Sequence, residues 1–166
     1  MPRVDAQRNM DALLTAAKEE FAASGVDVNV RAIAARAGVG TATLYRHYPL
    51  RSDLIAAVFR QEIDEVAAAA GALAATAGSP FEALLLWLRR YTSFVATKQG
   101  LASALHSGDP AYSALPGYFE GQVGGALQGL LDAAEASGEI RGGVGAVELL
   151  GAVANLSVPL PGEVDA

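Results

Sequence analysis

Residues 29–54 read "NVRAIAARAGVGTATLYRHYPLRSDL", and the spacing of apolar, capping and breaking residues in this stretch decides the fold. Asn29 is a good helix N-cap, and Val30, Ile33, Ala34 and Ala37 recur at i, i+3, i+4 and i+7. Gly38 stands just past the last of them, where a helix commonly turns left-handed and stops. The spacing therefore predicts a helix of about two turns. After "GVG" only "TATLYRHY" remains before Pro49, and the residue preceding a proline is pushed out of the helical region. A further helix must end near His47 or Tyr48, at a length of about 10–12 Å.

Advancing about 100° per residue along "TATLYRHY" puts Leu44, Tyr48 and Thr41 on an inner face. Ala42 and Arg46 point outward, Tyr45 lies on one flank, and Thr43 and His47 lie on the other. Two short helices joined by a glycine-containing turn, the second polar and basic outside, match the helix-turn-helix that lays its second helix in the DNA major groove. There Arg46 can present its fork to guanine O6 and N7, and Thr or Ala can meet a thymine methyl. Tyr45, Thr43 and His47 reach more naturally for phosphates, as does Arg51 at the start of the next helix. The competing reading is a solvated polar helix face with Tyr45 half-packed.

Charge favours the DNA reading. The chain carries a formal net charge of -6 over 166 residues, yet residues 1–60 hold eight cationic side chains against six acidic ones. Between Asp27 and Asp53 there is no acidic residue, while Arg31, Arg36, Arg46 and Arg51 fall in that window. An acid-free basic window in an acidic chain suggests a polyanion footprint.

Upstream, Leu13, Ala17 and Phe21 recur at i, i+4 and i+8 with Leu14 beside them, so a helix is expected from Arg8 to a stop at Gly25. Downstream, a fourth, alanine-rich helix starts near Arg51 and runs to Gly78-Ser79-Pro80. Ser79 as N-cap and Pro80 at the first helical position open a fifth, "FEALLLWLRRYTSFVATK", with an expected stop at Gly100. "LASALHSGDPAYSALPG" is a broken piece. "YFEGQVGGALQGLLDAAEAS" reads as helical despite four internal glycines, each costing about 1 kcal/mol relative to alanine. "VGAVELLGAVANLSV" is the last helix, before "PLPG". No segment alternates with period two, so the fold is all-α.

With 52% hydrophobic and 18% charged residues and a positive mean hydropathy, the chain can bury a core. The absence of cysteine excludes a disulfide framework, a thiolate metal site and a cysteine nucleophile. No apolar run is long enough for a membrane span, and the first residues carry Asp5 and Asp11 ahead of any apolar run, so a cytoplasmic protein without membrane association is expected.

The run "LLTAAKEEFAASG…NVRAIAARAGVGTATLYRHYPLRSDL" resembles the N-terminal domain of the TetR (tetracycline-repressor-like) family of transcriptional regulators. The resemblance covers about the first 60 residues. It rests on the aromatic-x3-Gly end of the first helix, Ile33-Ala34, Ala37-Gly38-Val39, Thr43-Leu44-Tyr45, His47-Tyr48 and the cation Arg51. It implies an N-terminal three-helix DNA-binding domain (residues 1–50, with the helix-turn-helix at about 29–48), joined through the fourth helix to an all-helical effector-binding and dimerisation domain (residues 51–166). By position, Thr43, Tyr45 and His47 would contact mainly the DNA backbone. Tyr48 would straddle core and phosphate, Ala42 and Arg46 would set sequence preference, and Arg51 would hold a phosphate; Arg31 and Thr41 complete the expected DNA-binding set. Gly40 stands in place of the family's usual serine, and Leu50 at another usual cap position, so both helix starts are expected to be less well fixed.

The same resemblance implies a homodimer on double-stranded operator DNA, a small-molecule effector, and repression relieved by that effector. The fourth helix is the candidate lever. For an effector site the sequence offers Trp87, Tyr91 and Phe94 along one helix face, with the polar tips of Tyr91, His106, Tyr112, Tyr118 and Gln122 near the broken region. Ordinary core is the competing reading of the aromatic stripe. Family members usually close with a further long helix, whereas this sequence closes on "SVPLPGEVDA"; either the sequence is truncated or the dimer seam uses fewer helices, with Val147, Leu149, Leu150 and Val153 as its apolar run.

No enzyme chemistry is expected. The two histidines are far apart in sequence, there is no phosphate-binding glycine loop after a strand, and Glu62, Asp64 and Glu65 read as a solvated helix face. No cofactor and no metal are expected. The rival is a helix-turn-helix protein whose helical part is a platform for partner proteins. An enclosed cavity near Trp87 and Tyr91 favours the sensor, and a solid core favours the platform.

Overall fold

The computed structural model describes residues 2–25, 27–97 and 107–157, with side chains from residue 7 onward. The expected stop at Gly100 and the side chain of His106 lie outside the described residues. Among those described, every regular element is helical, as the lack of period-two alternation predicts.

Helix α1 (Pro2–Ser24) starts before Arg8, because nothing between Arg3 and Arg8 breaks a helix and proline is well suited to the first turn. It buries Leu13, Ala16 and Ala17 and ends at Gly25, whose φ of 74° only glycine adopts without strain. Helix α2 (Val30–Arg36) is capped by Asn29, whose side chain accepts the Arg31 N–H at 2.9 Å. Its end is a Schellman turn. With Gly38 at φ 69°, its N–H donates to Ala35 O at 3.1 Å and the Val39 N–H to Ala34 O at 3.0 Å. Val39 then packs onto the core below. Helix α3 (Thr41–His47) stops where Pro49 requires, with Tyr48 at φ -129°.

Helix α4 (Arg51–Thr76) contributes to two compact units. The first holds the described residues up to Gln61 together with 107–115; the second holds 62–97 and 116–157. Packing thus divides the chain inside α4, between Gln61 and Glu62, whereas the resemblance places the division at residue 50. The first turns of α4 give Leu54 and Val58 to the core that Leu13, Ile33, Leu44 and Tyr48 share under α3. A 3-10 turn, Pro110–Tyr112, also belongs to the first unit, and no local pattern announces that.

In the second unit, α5 (Pro80–Thr97) starts as expected from Ser79, whose Oγ accepts the Glu82 N–H at 3.2 Å. Helix α6 (Leu115–Phe119), which enters this unit at Pro116, passes into a π-helical turn, Glu120–Gly124, and then into α7 (Gly125–Ala136). Helix α8 (Ala146–Leu156) follows. Helices α5, α7 and α8 pack on one another around Trp87, Val123, Leu127, Leu131 and Leu150, all buried. A Cβ added at Gly117, Gly121, Gly124 or Gly125 would meet nothing within 4 Å, so these glycines are not demanded by crowding inside the chain.

Candidate nucleic-acid interface

Helix α3 is held by two side chains and displays the rest. Leu44 is 1% exposed and Tyr48 8%. Ala42, Arg46 and His47 are exposed, Thr41 and Thr43 half-buried, and Tyr45 is 50% exposed. The rotation read from the sequence therefore places Leu44 and Tyr48 inward and Ala42 and Arg46 outward correctly, while Thr41, expected on the inner face, is only half-buried. Tyr48 packs its ring into the core, and burial, with the Asp11 carboxylate of α1 beside it, pushes its phenol above the ordinary value. The hydroxyl is protonated near neutral pH and can donate, but cannot carry charge.

The basic window is smaller in three dimensions than in sequence. Arg36 is turned onto α1, 3.0 Å from Glu20 and 3.5 Å from Glu19, and ties α2 to that helix. Arg31, Arg46 and Arg51 are the exposed cations of the window besides it.

The two helix starts differ. At Gly40 there is no side-chain cap, as the missing serine implies. At α4, the Asp53 Oδ2 accepts the Leu50 N–H at 2.9 Å, the reciprocal half of a capping box, in which the third helical residue reaches back to the cap position. The sequence signal is the spacing Leu50-x-x-Asp53, hidden because the cap residue itself is apolar. Arg51 thus starts a helix fixed by a carboxylate. At Gly40 a Cβ would meet only Thr43 Oγ1, at 3.9 Å, so Gly40→Ser fits. It should stabilise the first unit by a few tenths of a kcal/mol up to about 1 kcal/mol, observed as a raised midpoint in urea unfolding.

The residues expected around an effector fall into different places. Trp87 is 0% exposed and its indole N–H donates to Val66 O at 2.9 Å. Tyr91 is 2% exposed, its hydroxyl donates to Leu150 O at 3.2 Å, and burial raises its phenol pKa. Trp87 stacks on Tyr91 at 5.8 Å, and Phe94 stacks at 6.3 Å from Tyr91 and 6.2 Å from Phe119. Phe119, part of this aromatic tier, is not among the sequence-based candidates. The Tyr118 hydroxyl donates to Asp64 Oδ1 at 2.6 Å, Gln122 is exposed, and Tyr112 belongs to the first unit. An open groove in the second unit is lined by Gly117, Glu120, Gly121, Gln128, Val147 and Glu148, among others, and by none of these candidates.

Among the described residues no group of three or more His, Asp or Glu side chains is arranged to hold a metal ion. Nor, among them, is any helix long and apolar enough to cross a membrane.

Comparison with known proteins bears on both units. Residues 13–58 match the family model described as "Bacterial regulatory proteins, tetR family", and residues 79–163 match "Transcriptional regulator SbtR-like, C-terminal domain". No curated protein matches the chain. A solved TetR transcriptional regulator from Streptomyces coelicolor is 36% identical, with 89% of this chain and 83% of that one covered and a TM-score of 0.73. A TetR transcription regulatory protein from Mycobacterium vanbaalenii is 32% identical, with 94% and 93% covered and a TM-score of 0.76. The fold is shared by the regulator FadR from Bacillus subtilis, solved in complex with stearoyl-CoA, at 20% identity, coverage of 89% and 82%, and a TM-score of 0.64.

Proposed function

Because the chain belongs to the TetR family of transcriptional regulators, we propose that it is a cytoplasmic, homodimeric repressor released from its operator DNA by a small molecule. Regulators of this family are generally non-enzymatic. The observation that carries the DNA part is the exposed arc of α3, with Arg46 outward while Leu44 and Tyr48 are buried. A seven-residue helix is too short to be stable alone. It is displayed rather than buried because its anchors are few, and its polar outer arc then meets the duplex.

In this reading Ala42 and Arg46 face the base edges. Thr43, Tyr45, His47 and Arg51 grip phosphates, with Arg31, Thr41 and Tyr48 at the margins. Two such heads in a dimer would sit about 34–36 Å apart, one turn of the duplex. The exposed Val147 of α8, at 56%, and Leu156, at 87%, support a seam between copies. An effector that prefers one spacing of the heads would shift the population. FadR's complex with stearoyl-CoA illustrates that this fold can hold a small molecule.

One observation favours a second reading, a helical platform for partner proteins. Trp87 and Tyr91 are packed, with their polar tips already spent on backbone carbonyls, as befits a core.

Selection of duplexes from a random library tests the DNA reading. Arg46→Ala should relax preference at one position in each half-site, losing about 1–3 kcal/mol of discrimination. Arg51→Ala should weaken binding to all sequences and lower the salt slope by about one ion. A wild-type protein that enriches no sequence and binds without salt dependence would end the proposal.

A further inference from the structure

We propose that Leu50 is an affinity-determining residue for DNA, its exposed side chain covering the apolar face of a deoxyribose between the phosphates that Tyr48 and Arg51 reach. The inference rests on the reading of Tyr48 and Arg51 as phosphate contacts and adds to it a contact that carries no charge.

Among the described residues, the large hydrophobic side chains exposed in the first unit are Tyr45, at 50%, and Leu50, at 61%. Both fall between Ala42 and Arg51, the stretch read as facing the duplex. A single exposed leucine is ordinary on a protein surface. This one, however, occupies the cap position of α4, where Ser, Thr, Asp or Asn would give the helix an oxygen. The capping falls instead to Asp53, whose Oδ2 accepts the Leu50 N–H at 2.9 Å. The Leu50 carbonyl accepts the Leu54 N–H at 3.4 Å. With its N–H and its carbonyl both held, Leu50 presents its side chain from a fixed backbone.

Position supplies the partner. Consecutive Cα atoms are about 3.8 Å apart, so Leu50 lies within about 8 Å of Tyr48 and about 4 Å of Arg51 from backbone to backbone. A group so close to two phosphate contacts meets the same strand. Between its phosphates that strand offers the C–H groups of its sugars, which are apolar. A serine at residue 50 would stay hydrated there, whereas a leucine sheds water on contact and adds affinity. Such a contact is blind to base identity, as sugar contacts are.

The test uses the full-length protein, a duplex enriched by the wild type, and binding measured over a salt series. Leu50→Ser should weaken binding about fivefold, the worth of roughly half a buried leucine. The salt slope should not change, because no cation is lost. The same substitution supplies a cap oxygen, so the urea midpoint should not fall. Leu50→Met, which keeps the apolar area, should bind within about twofold of wild type. Wild-type or tighter binding by Leu50→Ser overturns the inference. So does a loss accompanied by a lower salt slope, which would mean that Leu50 acts by placing Arg51. A loss that follows dissociation of the dimer in sedimentation would put Leu50 between copies and overturns it too. If Arg51→Ala lowers the slope while Leu50→Ser changes nothing, only the apolar contact fails. If Arg51→Ala leaves affinity and slope unchanged, the phosphate reading fails and the inference with it.

Discussion

Trp87→Ala should destabilise the second unit by about 3–5 kcal/mol, a large share of the 5–15 kcal/mol that usually separates folded from unfolded domains. The side chain is 0% exposed and reaches from α5 to the α4 backbone at Val66. It loses three things at once: apolar burial, the stacking on Tyr91 at 5.8 Å, and the bond to Val66 O. Trp87→Phe separates these losses, because it keeps most of the burial and stacking and drops the N–H donor. It should cost about 1–3 kcal/mol, chiefly for a carbonyl left short of a partner. Urea unfolding followed by far-UV circular dichroism measures both variants. Trp87 is the protein's one tryptophan, so wild-type fluorescence reports the unfolding of its surroundings. A midpoint for Trp87→Ala close to wild type would mean that the aromatic tier is not the core of this unit, and would favour a space that an effector can enter.

The second large effect is expected at Leu44. Leu44→Ala should cost the first unit about 2–5 kcal/mol and abolish specific and non-specific DNA binding together. Leu44 is 1% exposed and shares a core with Leu13, Ile33, Leu54 and Val58. Helix α3 has seven residues, too few to persist in water without packing. With Leu44 truncated, only Tyr48 holds the helix down, and the outer arc has no fixed surface from which to project. The contrast with Arg46→Ala is diagnostic. That change should leave the unfolding midpoint within about 0.5 kcal/mol of wild type and alter only sequence preference. If Leu44→Ala kept DNA affinity while losing stability, the reading arc would not depend on α3 being docked.

Much of the first unit is legible because its signals are local. Asn29, Gly38 and Pro49 each act on the backbone within a few residues, and the i, i+3, i+4 spacing of Val30, Ile33 and Ala34 fixes which face turns inward. The same arithmetic on "TATLYRHY" separates Leu44 and Tyr48 from Ala42 and Arg46. Locality also explains why the cap of α4 is hidden in the sequence: the cap position holds the apolar Leu50, and the acceptor is Asp53, reaching back from three residues further on.

The signals of the second unit are less local. Trp87, Tyr91 and Phe94 form a stripe that suits a core as well as a pocket wall, and composition cannot tell which. The difference lies in where two polar hydrogens go. The indole N–H finds a carbonyl 21 residues away in sequence, and the Tyr91 hydroxyl one 59 residues away. The π-helical turn at Glu120–Gly124 is likewise not visible in a glycine-rich helical pattern, since glycine is permissive of many backbone paths.

By itself, then, the sequence determined the all-α architecture, the helix-turn-helix and the two faces of its second helix, because caps, breakers and 3.6-residue periodicity act over one or two turns. Only the tertiary structure decided that Arg36 is spent on Glu19 and Glu20, that Tyr112 belongs with the reading unit, and that Trp87 and Tyr91 give their polar tips to Val66 and Leu150. Each of these depends on which distant segments meet, and a charge or a hydrogen-bond donor acquires its role only from the partner that packing brings within about 3–4 Å of it.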